Sequence, residues 1–406
     1  MGIKRWIMLC VLGISFLALG AFLFGTFNIG PENLVLRILG IIILLTGVYF
    51  LIVGVKELIR FIISVLLPQR ESGLVDILYA KQHLSKGPNI VAIGGGTGLS
   101  VLLHGLKNYT SNISAIVTVA DDGGSSGRLR KEFDMLPPGD IRDCLVALAD
   151  TEPLMRDLFQ FRFKKGSPLS GHNFGNLFIT AMTKLTGDFE KAVKASSKVL
   201  AIRGQVIPST LRKVTLVAKH VNGNTTRGET KITESSQKID EVFLEPKNCE
   251  ATKEALKAIR EADAIILGPG SLFTSILPNL LIDDIRKAVR ESMATKIYVC
   301  NVMTQSHETD AYSASQHLKA ITKHAGDDVI DYVVVNKQKI PREFLEKYKE
   351  ENAYPVKNDS SVIRDLGYTV IEENVINAVD HVRHNSDKLT KIIINLISDI
   401  KSFKDI

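Results

Sequence analysis

Two apolar runs in this chain end abruptly in glycine: Ile90 to Gly94 passes into Gly95, Gly96, Thr97 and Gly98, and Ala264 to Leu267 passes into Gly268, Pro269, Gly270 and Ser271. Each leads on into a helix-like segment. A turn of that composition leaves backbone N–H groups unpaired beside a helix N-terminus, where they attract phosphate. A third segment, Asp121 to Arg130, gathers Asp121, Asp122, glycines, Ser125, Ser126, Arg128 and Arg130 at the end of another apolar run. Arginine forks pair with phosphate oxygens bidentately. A carboxylate about 4 Å from a phosphate charge is repelled by about 4 kcal/mol at an effective dielectric near ~20, so the two aspartates require hydroxyl partners or a cation. Mg²⁺, which favours carboxylate plus phosphate oxygen, is the natural cation. The competing readings are a ligand-free strand–helix turn at 94–98 and a solvated loop at 121–130.

The first loop comes close to a dinucleotide fingerprint, with Asp121 and Asp122 about 25 residues downstream, near the place of a ribose-holding acid. Leu99 stands where the third glycine belongs, and no hydride-transfer constellation accompanies it, which disfavours a nicotinamide oxidoreductase. Pro137 to Asp143 reads as a rigid turn in which Asp140 caps a helix, with Arg142 a candidate to face the ligand. Gly171 to Asn176 forms a polar and aromatic cluster containing His172, Asn173 and Asn176. His172 suits a functional role, as acid or base or as partner of a phosphate or sugar hydroxyl, and equally a structural one at a helix start. Spacing alone assembles no Ser-His-Asp triad.

The scaffold for these segments is read from periodicity. From Pro88 onward apolar strands alternate with amphipathic helices, which predicts an α/β fold, Rossmann-like, with a mostly parallel sheet covered on both faces. Strands are expected at 90–94, 113–120, 264–267, 297–301 and 331–335, and helices at 99–108, 251–262, 283–292 and 313–325. A turn at Val221 to Asn224, followed by a return strand from Thr225 to Ile232, predicts a β-hairpin or meander inserted at about 207–245. With 406 residues, 45% of them apolar, the chain has ample material for a large core. A net charge of +6, dispersed along the sequence, argues against nucleic acid as a partner. Cys10, Cys144, Cys249 and Cys300 are too scattered for a disulfide framework or zinc site and suit a reducing compartment.

The first seventy residues are of another kind. Trp6 to Phe27 carries no charge and spans roughly 33 Å as a helix, enough for one membrane crossing. A second run extends from Ile38 to Val55; Arg37 marks an interface, because an arginine at the membrane centre costs about 2.5–3.5 kcal/mol. Asn28 to Asn33 supplies the turn between them. Leu58 to Leu67 either prolongs the second helix or lies in the membrane surface, and Pro68 ends it. Lys4 and Arg5 share one side with Lys56, Arg60 and Arg70, so the positive-inside bias places both ends in the cytoplasm. A cleaved signal sequence and a single anchor are the alternatives. The expected organisation is a membrane hairpin at 1–70, a linker at 71–87 and the Rossmann-like domain at 88–406.

Seven ordered motifs, GGGTGLS, VADDGGSSGRLR, PPGDIRDCLVALA, GHNFGN, IPST, LGPGSLFTSILPNLL and NVMTQ, together resemble the gluconeogenesis-factor family, a branch of the 2-phospho-L-lactate transferase superfamily. The resemblance covers residues 88–390 and omits the hairpin. It implies a regulatory protein that binds a UDP-sugar, UDP-N-acetylglucosamine foremost, and serves cell shape and cell-wall carbon flow. A protein partner in cell-wall regulation is implied but unnamed, and a homo-oligomer is left open. The resemblance matches Gly95 to Gly98 and Gly268 to Ser271 to nucleotide-cradling loops, and Asn301, Met303 and Thr304 to the segment beside the ligand. Tyr348 and Arg383 match a tyrosine and an arginine of UDP-sugar binding. A tyrosine offers a stacking face and a phenol, and an arginine a fork for diphosphate. The alternative is a Mg²⁺-dependent transferase of a phospholactyl-like group, in which Asp122 contacts acceptor and metal and is the catalytic residue. One departure stands out: Ser306-His307 precedes Glu308-Thr309-Asp310 where the family usually has Pro-Gly.

Overall fold

A computed structural model describes residues 4–26, 34–66, 84–150, 153–164, 166, 168–378 and 382–404. The connecting turn at 28–33, Pro68, Arg70 and most of the expected linker lie outside the described residues. The chain divides into two compact units, Met1–Gln82 and His83–Ile406.

The first unit contains two antiparallel helices, Lys4–Thr26 and Leu34–Leu66, each long and apolar enough to cross a membrane. Of the two expectations for residues 58–67, continuation of the second helix is the one that forms, as far as Leu66. Glycine sets how closely the helices approach. A Cβ on Gly47 would come within 2.8 Å of Leu17 N, one on Gly20 within 2.8 Å of Leu44 N, and one on Gly54 within 2.6 Å of Cys10 Sγ. Gly13 and Gly20 on one helix, and Gly40, Gly47 and Gly54 on the other, recur at seven-residue intervals and so share a face. Small residues of this kind let backbones touch, which is how helices gain packing energy where lipid removes the hydrophobic drive.

The described residues of the second unit contain twelve strands: β1 (Ile90–Gly94), β2 (Ile113–Val117), β3 (Gln205–Pro208), β4 (Thr215–His220), β5 (Thr225–Arg227), β6 (Ile239–Glu245), β7 (Ala264–Leu267), β8 (Thr295–Val299), β9 (Tyr332–Asn336), β10 (Thr369–Glu373), β11 (Ile376–Ala378) and β12 (Val382–His384). Seven of them make one parallel sheet in the order β10-β9-β8-β7-β1-β2-β3. The unbroken apolar sequence Ile90-Val91-Ala92-Ile93, buried throughout, is that of a strand covered on both faces. This is the α/β, Rossmann-like sheet that the periodicity predicts. The edge strands β3 and β10 escape that reading: one is four residues ending in proline, the other is partly exposed and closes in two glutamates.

Strand order locates the crevice. The chain moves outward from β1 through β2 to β3, returns to β7 beside β1, and then moves outward the other way through β8, β9 and β10. Ligands of open α/β sheets bind where the winding reverses, outside the carboxyl ends of the strands. Here that point lies between β1 and β7, the two strands that end in glycine loops.

The insert is a three-stranded antiparallel sheet in the order β5-β4-β6. Its return strand is shorter than the expected Thr225 to Ile232. Gly228 turns the backbone to a φ of 97° and the helix Glu229–Glu234 begins. Asp122 holds the start of that helix: its Oδ1 accepts from Thr230 N at 2.9 Å and from Thr230 Oγ1 at 2.8 Å, and a Cβ at position 228 would collide with its Oδ2. At the far end of the chain, the helix Ser386–Lys404 lies against the helix Gly96–Leu106. Ser386 Oγ donates to Val101 O at 2.7 Å, which delivers β12 to the first glycine loop.

Candidate functional site

The two glycine loops are in contact. A Cβ on Gly98 would stand 2.6 Å from Pro269 O and 2.8 Å from Gly270 Cα, so the second loop fits against the first only because residue 98 lacks a side chain. The first loop opens the helix Gly96–Leu106, which has no side-chain cap at its N-cap, Gly95. Gly268 adopts a φ of 77°, a conformation that glycine favours. Asn301 then holds the second loop on both sides: Gly270 N donates to its Oδ1 at 3.1 Å, and its Nδ2 donates to Gly270 O at 2.7 Å. Gln305 Nε2 adds a bond to Ser271 Oγ. The segment after this loop, Leu272–Ile276, is wound as a π-turn, a distortion often found at functional sites.

Of the expected site residues, Gly95, Gly96, Thr97, Gly98, Pro269, Gly270, Ser271, Asn301, Met303, Thr304, Tyr348 and Arg383 line one cavity of about 660 Å³. Tyr348 sits on the helix Arg342–Glu350, and its hydroxyl accepts from Val382 N at 3.0 Å, which fixes the ring beside the residue preceding Arg383. Thr304 is held by Tyr354, donating through N at 2.7 Å and accepting at Oγ1 from Tyr354 N at 2.9 Å.

Asp121, Asp122, Ser125, Ser126, Arg128, His172, Asn173, Asn176 and Gly268 do not line that cavity. Most of them hold its surroundings together. Ser125 Oγ and His172 Nδ1 are bonded at 3.2 Å, and burial, aided by Arg128, lowers the imidazole's pKa. Asn173 caps the helix Phe174–Thr186 and accepts from Asn176 N at 3.1 Å. Asn176 Oδ1 accepts from Arg142 Nη1 at 3.0 Å, and its Nδ2 donates weakly to Ser126 Oγ. Arg128 donates to Ser170 O. Asp121 accepts from Gly123 N, while burial raises its pKa. Asp122 is committed to Thr230 as described above. Among the described residues no three His, Cys, Asp or Glu side chains are gathered to hold a metal ion.

Comparison with known proteins agrees with this architecture. Residues 90–376 match the family described as 2-phospho-L-lactate transferase CofD. A Bacillus subtilis protein named gluconeogenesis factor is 49% identical over 317 residues, covering 78% of this chain and 100% of that one. The chain belongs to the gluconeogenesis-factor family. A relative from Clostridium acetobutylicum, whose description also refers to a gluconeogenesis factor, is 46% identical over 416 residues and covers 99% of this chain and 91% of its own. That match takes in the N-terminal helices. A crystal structure of a Bacillus halodurans protein is 49% identical, superposes with a TM-score of 0.75, and covers 76% of this chain and all of that one.

In this member of the family the cavity also has an acidic side that the sequence did not reveal. Asp140, Glu229 and Glu308 line it. Burial pushes Asp140 up to about 8, assisted by repulsion from Asp121 and Asp143. Burial likewise pushes Glu229 up to about 9, with Asp121 and Asp140 adding repulsion, and Glu308 up to about 7. Asp140 is not the helix cap it was expected to be, since Pro138 holds that position and the Asp140 carboxylate instead packs on Gly95 and accepts from Gly96 N. Glu229 arrives on the insert helix that Asp122 anchors, a placement invisible to local pattern. The altered loop is accommodated by His307 itself, which takes a φ of 69° and whose Nδ1 bonds Thr233 O at 3.0 Å.

Proposed function

We propose that the cavity binds a UDP-sugar, UDP-N-acetylglucosamine foremost, and that its occupancy regulates cell morphogenesis and cell-wall carbon partitioning during gluconeogenic growth. The observation that carries this reading is the meeting of both glycine loops, at the reversal of the sheet, in one cavity with Tyr348 and Arg383. Backbone N–H groups and the arginine fork suit a diphosphate, and the tyrosine ring suits a base or sugar face. Residues 1–70 anchor the protein in the cell membrane with both ends cytoplasmic, residues 71–87 link, and residues 88–406 bind the ligand. Occupancy is passed to a protein partner through a state that binds the ligand more tightly than its alternative. Calorimetric titration of the full chain in detergent with UDP-N-acetylglucosamine tests the reading. Heat of binding that weakens at least about tenfold in Arg383→Ala supports it, and no heat at millimolar ligand overturns it.

The family description favours a second reading, a transferase acting on a nucleotide diphosphate-activated donor. Since no three-ligand cluster is gathered among the described residues, Mg²⁺ would rest on ligand phosphate oxygens and one or two of Asp140, Glu229 and Glu308. Product formation from activated phospholactate and a deazaflavin acceptor, dependent on Mg²⁺ and lost in Asp140→Asn or Glu308→Gln, would put this reading first.

A further inference from the structure

We propose that a second cavity beside the first binds a phosphate monoester carrying hydroxyl groups, such as a sugar phosphate, as a ligand separate from the nucleotide. The cavity measures about 600 Å³ and meets the first at Thr97, Val101 and Arg383. Its wall brings together four arginines from distant parts of the sequence: Arg142, Arg156, Arg162 and Arg383. Asp143 is the one carboxylate in that wall, and it is already paired with Arg142, whose remaining Nη1 is occupied by Asn176.

The other cations have charge to spare. Arg162 spends one N–H on Gly171 O at 2.9 Å, and among the described residues the guanidinium groups of Arg156 and Arg383 have neither a hydrogen-bond nor an ion-pair partner. A guanidinium presents five donors in a planar fork matched to phosphate oxygens. Two unengaged forks and a third partly engaged, facing one cavity, amount to an anion trap rather than a set of structural ion pairs. The electrostatics next to the cavity point the same way. The His104 imidazole in the wall is held below its ordinary value first by burial and then by the charges of Lys107 and Arg156, against an opposing pull from Asp387.

Ligand class follows from what accompanies the arginines. Thr97, Ser100, Gln160 and Asn173 place hydroxyl and amide groups in the same wall. Such groups donate to phosphate oxygens as well, but hydroxyls and amides that both donate and accept, placed beside arginines already able to hold the phosphate, are suited to the hydroxyls of a sugar or polyol. No Phe, Tyr or Trp lines this wall, so it lacks the large stacking face a nucleotide base would use.

The test uses the full chain in detergent, titrated calorimetrically with glucose 6-phosphate, inorganic phosphate and glucose, and separately with UDP-N-acetylglucosamine. Glucose 6-phosphate is expected to bind, with inorganic phosphate and glucose each at least about tenfold weaker. The double variant Arg156→Gln, Arg162→Gln should lose at least about tenfold in affinity for glucose 6-phosphate and keep its response to UDP-N-acetylglucosamine. If the double variant melts early, the single variant Arg156→Glu carries the test, with a loss in the same direction. No heat from glucose 6-phosphate at millimolar concentration, undiminished binding by a folded variant, or equal affinity for inorganic phosphate overturns the proposal. A chain that binds glucose 6-phosphate but not UDP-N-acetylglucosamine removes the UDP-sugar reading and leaves this one standing.

Discussion

Glycine does two different jobs in the two units of this protein. In the N-terminal helices it lies mid-helix, where it costs roughly 0.5–1 kcal/mol against alanine, and that cost is offset by backbone contact with the neighbouring helix. In the α/β unit it lies at the ends of β1 and β7, where it lets two loops touch and each of them take a positive φ, at Gly96 and at Gly268. The first use follows a seven-residue repeat and is independent of any ligand. The second follows no repeat and brings two loops from distant parts of the sequence into contact at one cavity.

The comparison is most severely tested at Gly98. Gly98→Val should push the second loop off the first and reduce UDP-N-acetylglucosamine affinity at least about a hundredfold, near 2.7 kcal/mol, with a lower melting temperature. Binding retained within a few-fold would mean that contact between the loops is incidental. Gly47→Leu should separate the helix backbones and cost about 1–3 kcal/mol of helix pairing, seen as faster amide exchange in residues 10–54 in detergent, while nucleotide-sugar affinity stays put. A fall in affinity as large as that of Gly98→Val would erase the division of labour. Tyr348→Phe removes the acceptor of Val382 N, and should weaken UDP-N-acetylglucosamine by roughly threefold to tenfold, near 1 kcal/mol, through misplacement of Arg383.

The smallest effect concerns the acidic side. Asp140, Glu229 and Glu308 retain protons at pH values where the unfolded chain has released them, so unfolding free energy falls as pH rises from about 5 towards about 9. Glu229→Gln should match the natural protein near pH ~5 and melt higher near pH ~9, because it has no proton to lose. Identical melting profiles across that range would show that the carboxyl is not held in its protonated form.

Both glycine loops, the α/β class and the two apolar helices were legible because each is written in a short window: an apolar run, a change of period, a breaker. Tyr348 and Arg383 were reachable only through resemblance, since nothing local separates them from a core tyrosine and a surface arginine. Glu229 and the role of Asp122 were out of reach. One is delivered by an insert whose helix is held at its first turn by a carboxylate more than a hundred residues earlier. Asp140 was misread for a related reason: next to Pro137-Pro138-Gly139 an aspartate looks like a cap, and only the fold places Gly95 against it.

What the amino-acid sequence determined by itself was the set of pieces: which strands are buried on both faces, where the chain must turn through glycine, and which helices carry an uncharged run long enough to cross a membrane. Those depend on residues within one or two turns of each other. Which pieces meet was decided by tertiary structure. The reversal of winding sets β7 beside β1, the final helix carries Arg383 to the first loop, and the capped insert brings a glutamate to the same cavity. Contacts of such long separation arise from strand order and packing, and no local pattern of residues encodes them.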